Sequence, residues 1–126
     1  MTISNHVLLV ADDLMLTSDV SGYAAMQQVP FTNVRADELR SWLQNSGEDH
    51  RVLLLIDLST PNLNAPILTE AAQHDCVVQV IGYGPHVKTD LFDAARDAGL
   101  QNLMSRGQFT AQAGGLIADF CRDASA

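Results

Sequence analysis

Three short apolar runs constrain this chain more than anything else in it: VLLV at residues 7–10, VLLLI at 52–56 and VVQVI at 77–81. None alternates between apolar and polar positions. Each is therefore expected to be covered on both faces, as the central strands of a parallel sheet are. Two weaker strands fit at 30–34 and 102–105. Helical spacing falls between the strands: at 14–28, at 37–45 with Leu39, Trp42 and Leu43 on one face, and at 87–98 with Gly99 as its stop. A last helix fits at 111–122, carrying Leu116, Ile117, Phe120 and Cys121 inward. Alternation of this kind, closed by right-handed crossovers, predicts a doubly wound α/β three-layer sandwich. Five strands favour a parallel sheet in the order 2-1-3-4-5. The ligand crevice of such a sheet lies outside the carboxyl ends of its strands, where strands 1 and 3 diverge.

At 126 residues the chain is expected to form a single domain, and 47% hydrophobic content suits a folded core. Seven basic residues against fifteen acidic give a net charge of −8. That field repels nucleic acid, and no basic stripe offsets it. The N-terminal apolar run is too short for a signal peptide or a membrane span, so no membrane association is expected. Cys76 and Cys121 lack metal-type spacing with histidine. They read as free thiols in a reducing, cytoplasmic setting.

The predicted crevice collects acids. The first strand runs into Asp12 and Asp13, and the third into Asp57. Strand order 2-1-3 makes those strands neighbours, so three carboxylates are expected to converge. Like charges at close range need a cation, and a few hard oxygens suit Mg²⁺. Each acid also has an ordinary role open to it. Asp12 or Asp13 could cap the helix that starts near Leu14, and Asp57 could accept from amides of its own loop.

VLLVADD followed by LLLIDLSTPN resembles the receiver domain of response regulators, a flavodoxin-like fold. In that family the first strand ends in an acidic pair and the third in a phosphate-accepting aspartate, with a proline four residues on, as Pro61 follows Asp57 here. The resemblance runs along the whole chain, including Ala98–Gly99 ahead of the fifth strand. It implies a two-component signalling module rather than an enzyme. It further implies Asp12 and Asp13 as metal-side acids, Asp57 as acceptor, the Ser59 carbonyl as a further metal ligand, and Mg²⁺ as the only cofactor. A kinase or an output protein would be the partner. With no output domain following the fifth helix, a partner or a homodimer face near the last helix would carry the signal.

Two parts of the family pattern are altered. The hydroxyl residue that ends the fourth strand is replaced by Gly84, or by Gly82 if the loop is longer. In LMSRGQF, Arg106 stands in the family's lysine position, Gly107 in the proline position and Leu103 in the aromatic switch position. Arginine's planar fork can clamp Asp57 bidentately, which makes that carboxylate a poorer nucleophile. The segment Gly82-Tyr83-Gly84-Pro85-His86 reads either as a plain turn, with Tyr83 packed and His86 solvated, or as a ligand loop with His86 at the crevice. Three functions follow. The leading one is a stand-alone pseudo-receiver, an interaction module keeping the acidic pocket without the switch residues. The others are a working phospho-acceptor with Arg106 in the lysine's role, and a small ligand-binding protein or enzyme built on the loop 82–86.

Overall fold

The computed structural model describes residues 4–46 and 49–123. Strands and helices alternate as β1 (Ser4–Val10), α1 (Leu14–Met26), β2 (Phe31–Val34), α2 (Ala36–Gln44), β3 (His50–Asp57), α3 (Ala65–Gln73), β4 (Val77–Gly84), α4 (Thr89–Asp97), β5 (Asn102–Ser105) and α5 (Arg106–Asp123). All four strand pairings are parallel, and the sheet order is β2-β1-β3-β4-β5. Fold and strand order agree with the expectation.

The apolar runs of β1 and β3 are explained by two separate cores, whereas the start of β4 is not covered on both faces as expected, since Val78 is exposed and Val77, Gln79 and Val80 are only half-buried. Val7 and Leu9 of β1, with Leu53 and Leu55 of β3, face α1 and α5, where Val20, Ala24, Phe109 and Ile117 close the layer. Leu8, Val10, Leu54 and Ile56 face the other way, against Leu39, Leu43, Leu68, Ala71 and Ala95 of α2, α3 and α4. Successive strand residues point to opposite faces, so a strand covered twice must be apolar at every position. At roughly 25 cal/mol per Å² of apolar surface, each such side chain stabilises the fold by about 1.5–3 kcal/mol. Both edge strands are only four residues long, which limits the unpaired backbone exposed at the rims.

Helix boundaries follow capping chemistry. In α1, Asp13 is the N-cap and its Oδ1 accepts from the backbone N–H of Met15 (2.9 Å) and Leu16 (3.2 Å). The sequence assigns no helix to 65–73, yet α3 forms there: Asn64 caps it through the Ile67 N–H at 3.0 Å, and Pro66 occupies the first turn. In α4 the end is as expected. Gly99 takes φ of +106°, the Leu100 N–H reaches the Ala95 carbonyl, and the Gly99 N–H reaches that of Arg96. Those two bonds form a Schellman stop, which favours glycine at the left-handed residue. The start of α4 is later than expected, at Thr89, leaving Val87 exposed in the preceding turn.

The larger correction concerns α5, which begins at Arg106 and not near Ala111. Ser105 Oγ accepts from the Gln108 N–H at 3.1 Å, and Gln108 Oε1 accepts from the Ser105 N–H at 2.9 Å. This reciprocal capping box starts the helix directly at the end of β5, so Gly107 is helical and no loop intervenes.

Candidate functional site

Asp57 is the last residue of β3 and is 5% exposed. Its Oδ1 accepts from the Ser59 N–H at 2.9 Å and from the Ser59 hydroxyl at 2.6 Å. The turn behind it is tied down as well. Thr60 Oγ1 lies 2.6 Å from the Asp57 carbonyl and 3.4 Å from that of Val10, and the Leu58 N–H donates to the Tyr83 carbonyl at 2.8 Å. The acid thus sits on a turn bonded to both neighbouring strands.

Arg106 lies across the crevice. One guanidinium nitrogen, Nη2, is ion-paired with Asp13 Oδ2, and the other, Nη1, stands 3.7 Å from Asp57 Oδ2. The fork is therefore divided between two carboxylates, and the bidentate clamp on Asp57 expected from the sequence does not form. The reason is local. Asp57 Oδ1 is occupied by both Ser59 donors, whereas Asp13 spends only Oδ1 on the α1 cap and turns Oδ2 toward the cation. Two carboxylates around one guanidinium leave the cluster at a net −1.

The expected convergence of three acids is also corrected. Asp12 is exposed, and among the described residues no three His, Cys, Asp or Glu side chains form a metal-type group. Both ordinary roles weighed for the other two acids are present, since Asp13 caps α1 and Asp57 bonds its own loop. What the crevice brings together is Asp13, Asp57, Ser59 and Arg106. Ser59 takes part through its hydroxyl and amide.

The loop 82–86 divides differently. Gly82 and Gly84 are strand residues, buried and paired with Leu103 and Ser105 of β5. A Cβ on Gly82 would lie 2.9 Å from a methyl end of Leu103 and 3.2 Å from those of both Leu58 and Leu100, so a side chain here must push these leucine ends back. At Gly84 the nearest atoms are ordinary contacts, Leu58 at 3.7 Å and Phe92 at 3.9 Å. Space for the missing hydroxyl residue therefore exists at Gly84 without displacement, and at Gly82 only if three leucine ends shift. His86 is exposed and lines a separate groove of about 330 Å³ with Phe92, Arg96, Leu103 and Gln108, between α4 and the end of β5. The turn closed by the Lys88 N–H on the Pro85 carbonyl carries it there, away from Asp57.

Tyr83 is packed, as the plain-turn reading of this segment expects. Tyr83 pairs in register with Asp57 on one side and Met104 on the other, is fully buried, and stacks on Phe109 with centroids 4.1 Å apart and planes within 5°. Burial, and to a lesser degree the charge of Asp57, push its phenol well above the ordinary tyrosine range. Its hydroxyl is the one buried side-chain polar atom among the described residues with no hydrogen-bond partner.

No family model matches the sequence, and no curated protein does. Solved structures match closely in fold. The signal receiver domain of a putative Luxo repressor protein from Vibrio parahaemolyticus aligns at TM-score 0.72 and 18% identity, over 98% of this chain and 94% of that one. The phosphorylated cyanobacterial phytochrome response regulator RcpA aligns at 0.70 and 17%, over 92% and 90%. The receiver domain of a sensor histidine kinase from Pseudomonas aeruginosa, with a magnesium ion coordinated in its active-site cleft, aligns at 0.68 and 15%, over 94% and 98%. The chain has the fold of a response-regulator receiver domain. Among the described residues, no helix is long and apolar enough to cross a membrane.

Proposed function

We propose that this protein is a non-enzymatic receiver-type signalling module whose acceptor-like Asp57 is held by Arg106 in a resting state that needs no phosphate. The carrying observation is the division of the Arg106 guanidinium between Asp13 and Asp57. A permanently charged fork supplies there the positive charge that two facing carboxylates require. Gly84 offers no hydroxyl and Leu103 no ring at the sheet edge, so an added phosphoryl group finds few contacts that differ between two states. A ligand shifts an equilibrium only through such differences. Signal would then pass by association with a protein partner, a kinase or an output protein.

A second reading, a working phospho-acceptor, is favoured by one feature. Asp57 Oδ2 accepts none of the Ser59 bonds and, among the described residues, pairs with Arg106 alone, at 3.7 Å. That oxygen can attack phosphorus as the bond to a donor's leaving group breaks. Asp13 and Asp57 are the two hard-oxygen donors that would hold Mg²⁺, which when bound offsets charge on the phosphoryl oxygens. Amide spectra recorded with beryllofluoride and Mg²⁺ separate the readings. The resting-module reading expects changes confined to Asp13, Asp57 and their immediate turn, or none. Changes spreading along β4 and β5 would establish the phospho-acceptor instead. Arg106→Lys should enlarge the response, because it frees Asp57 Oδ2 while keeping a cation.

A further inference from the structure

A buried phenol hydroxyl without a partner forfeits the hydrogen bonds it made in water, and folded proteins retain few such groups. Tyr83, the residue paired in register with Asp57, retains one. Its ring lies on the α1/α5 side of the sheet, in the strand position next to Asp57, and its carbonyl accepts from the residue that follows Asp57. Its flat stack on Phe109 places the ring against α5, whose first residue is Arg106. Phe109 itself is fully buried, so neither ring can move without the other or without disturbing the helix.

We propose that Tyr83 is a positioning residue that couples the charge state of Asp57 to α5 through its stack on Phe109. This deepens the receiver-type reading by naming a second route from the site into the helix, beside the direct one through Arg106. With Arg106 facing Asp57, the hydroxyl stays unpaired. A change of charge at Asp57 alters the field on that hydroxyl, and the ring pair shifts to restore a partner. The Asp57 charge already acts on the phenol, as the second cause of its raised pKa.

The test uses the intact chain and no phosphodonor, so its failure is distinct from failure of the receiver reading. Asp57→Asn removes the charge with little change of shape. Its effect on the amide and ring resonances of Phe109 and on the amide of Ala113, one turn further on, is compared in Tyr83 and Tyr83→Phe backgrounds. The expected result is a displacement that falls by at least half when the hydroxyl is absent, while displacements at Ser59 and Thr60 persist. Equal displacements in α5 in both backgrounds, or none in either, would overturn the proposal. Tyr83→Phe alone keeps the stack and removes only the unpaired oxygen, so its melting temperature should equal or exceed that of the parent. A clear fall would mean that the hydroxyl has a partner in the resting protein, and would overturn the proposal as well.

Discussion

Arg106 and Asp57 face each other at 3.7 Å across the crevice, but the guanidinium makes its closer contact with Asp13, the residue that caps α1. The cation at the end of the sheet is thereby joined to a helix terminus and only secondarily to the acceptor-like acid.

That arrangement sets the order of two substitutions. Arg106 is 43% exposed and Asp13 28%, so solvent screens their pair and Arg106→Ala should cost only about 1 kcal/mol. Asp13→Ala removes the same pair and also the bonds to Met15 and Leu16, and loss of an N-cap costs about 1 kcal/mol more. Urea denaturation should therefore rank Asp13→Ala as roughly twice as damaging, with the double substitution adding to Asp13→Ala only the loss of the longer Arg106–Asp57 pair. Additive losses would show that the two side chains do not interact.

Magnesium and the guanidinium compete for one place. In the parent protein, millimolar Mg²⁺ should raise the melting temperature little, because Arg106 already neutralises part of the charge. In Arg106→Ala the two acids face each other without a cation, and Mg²⁺ should stabilise by binding the folded state alone. Asp57→Asn in that background should abolish the gain. A larger shift in the parent than in Arg106→Ala would sink the idea.

The two glycines of β4 should respond oppositely to alanine. Gly82→Ala drives a methyl group into Leu103, Leu58 and Leu100 at once, and overpacking a buried strand costs on the order of 1–3 kcal/mol. Gly84→Ala meets only ordinary contacts and gains strand-compatible backbone, so it should stay within about 0.5 kcal/mol of the parent. Gly84→Ser would then return a hydroxyl to the site, and the beryllofluoride response is the measurement that tells whether it is used.

His6 predicts a pH dependence. Its ring accepts or shares a hydrogen with Thr32 Oγ1 at 2.8 Å and packs on Trp42, and its pKa is lowered from 6.5, first by burial and then by His50. A histidine whose folded pKa is depressed stabilises the fold fully above the unfolded value of 6.5. That contribution is lost as pH falls through the folded pKa, since the unfolded chain takes the proton more readily. The urea midpoint should decline between pH 7.5 and pH 5, and His6→Gln should flatten the decline. An unchanged slope in the variant would place the titration elsewhere.

The sheet was legible because burial on both faces leaves a plain mark: VLLV and VLLLI have no polar position to signal an exposed side, while VVQVI is interrupted by Gln79 and leaves Val78 exposed. Helix starts were less so. Residues 65–73 carry a weak stripe, and it is Asn64 with Pro66 that begins the helix. At α5, Gly107 reads as a loop, yet the Ser105 and Gln108 pair outweighs it. That S-x-x-Q spacing was present in the sequence as a signal. At the site, the fold brings Asp13, Asp57 and Arg106 of the named residues together, while their geometry was not available from the sequence. Whether a guanidinium divides between Asp13 and Asp57 depends on which carboxylate oxygens Ser59 and the α1 amides already occupy. The solitude of the Tyr83 hydroxyl depends on everything packed around it, which no local pattern encodes.

Thr60 has a consequence for the crevice as a whole. Its buried hydroxyl reaches the carbonyls of Asp57 and Val10, which end two adjacent strands. An uncharged side chain therefore ties together the ends of the strands that lead to Asp13 and carry Asp57, so part of the spacing across the crevice is set before any cation enters. Guanidinium, ammonium or a hydrated metal would each meet the same opening, and selection among them would rest on how well each fills a gap of partly preset width.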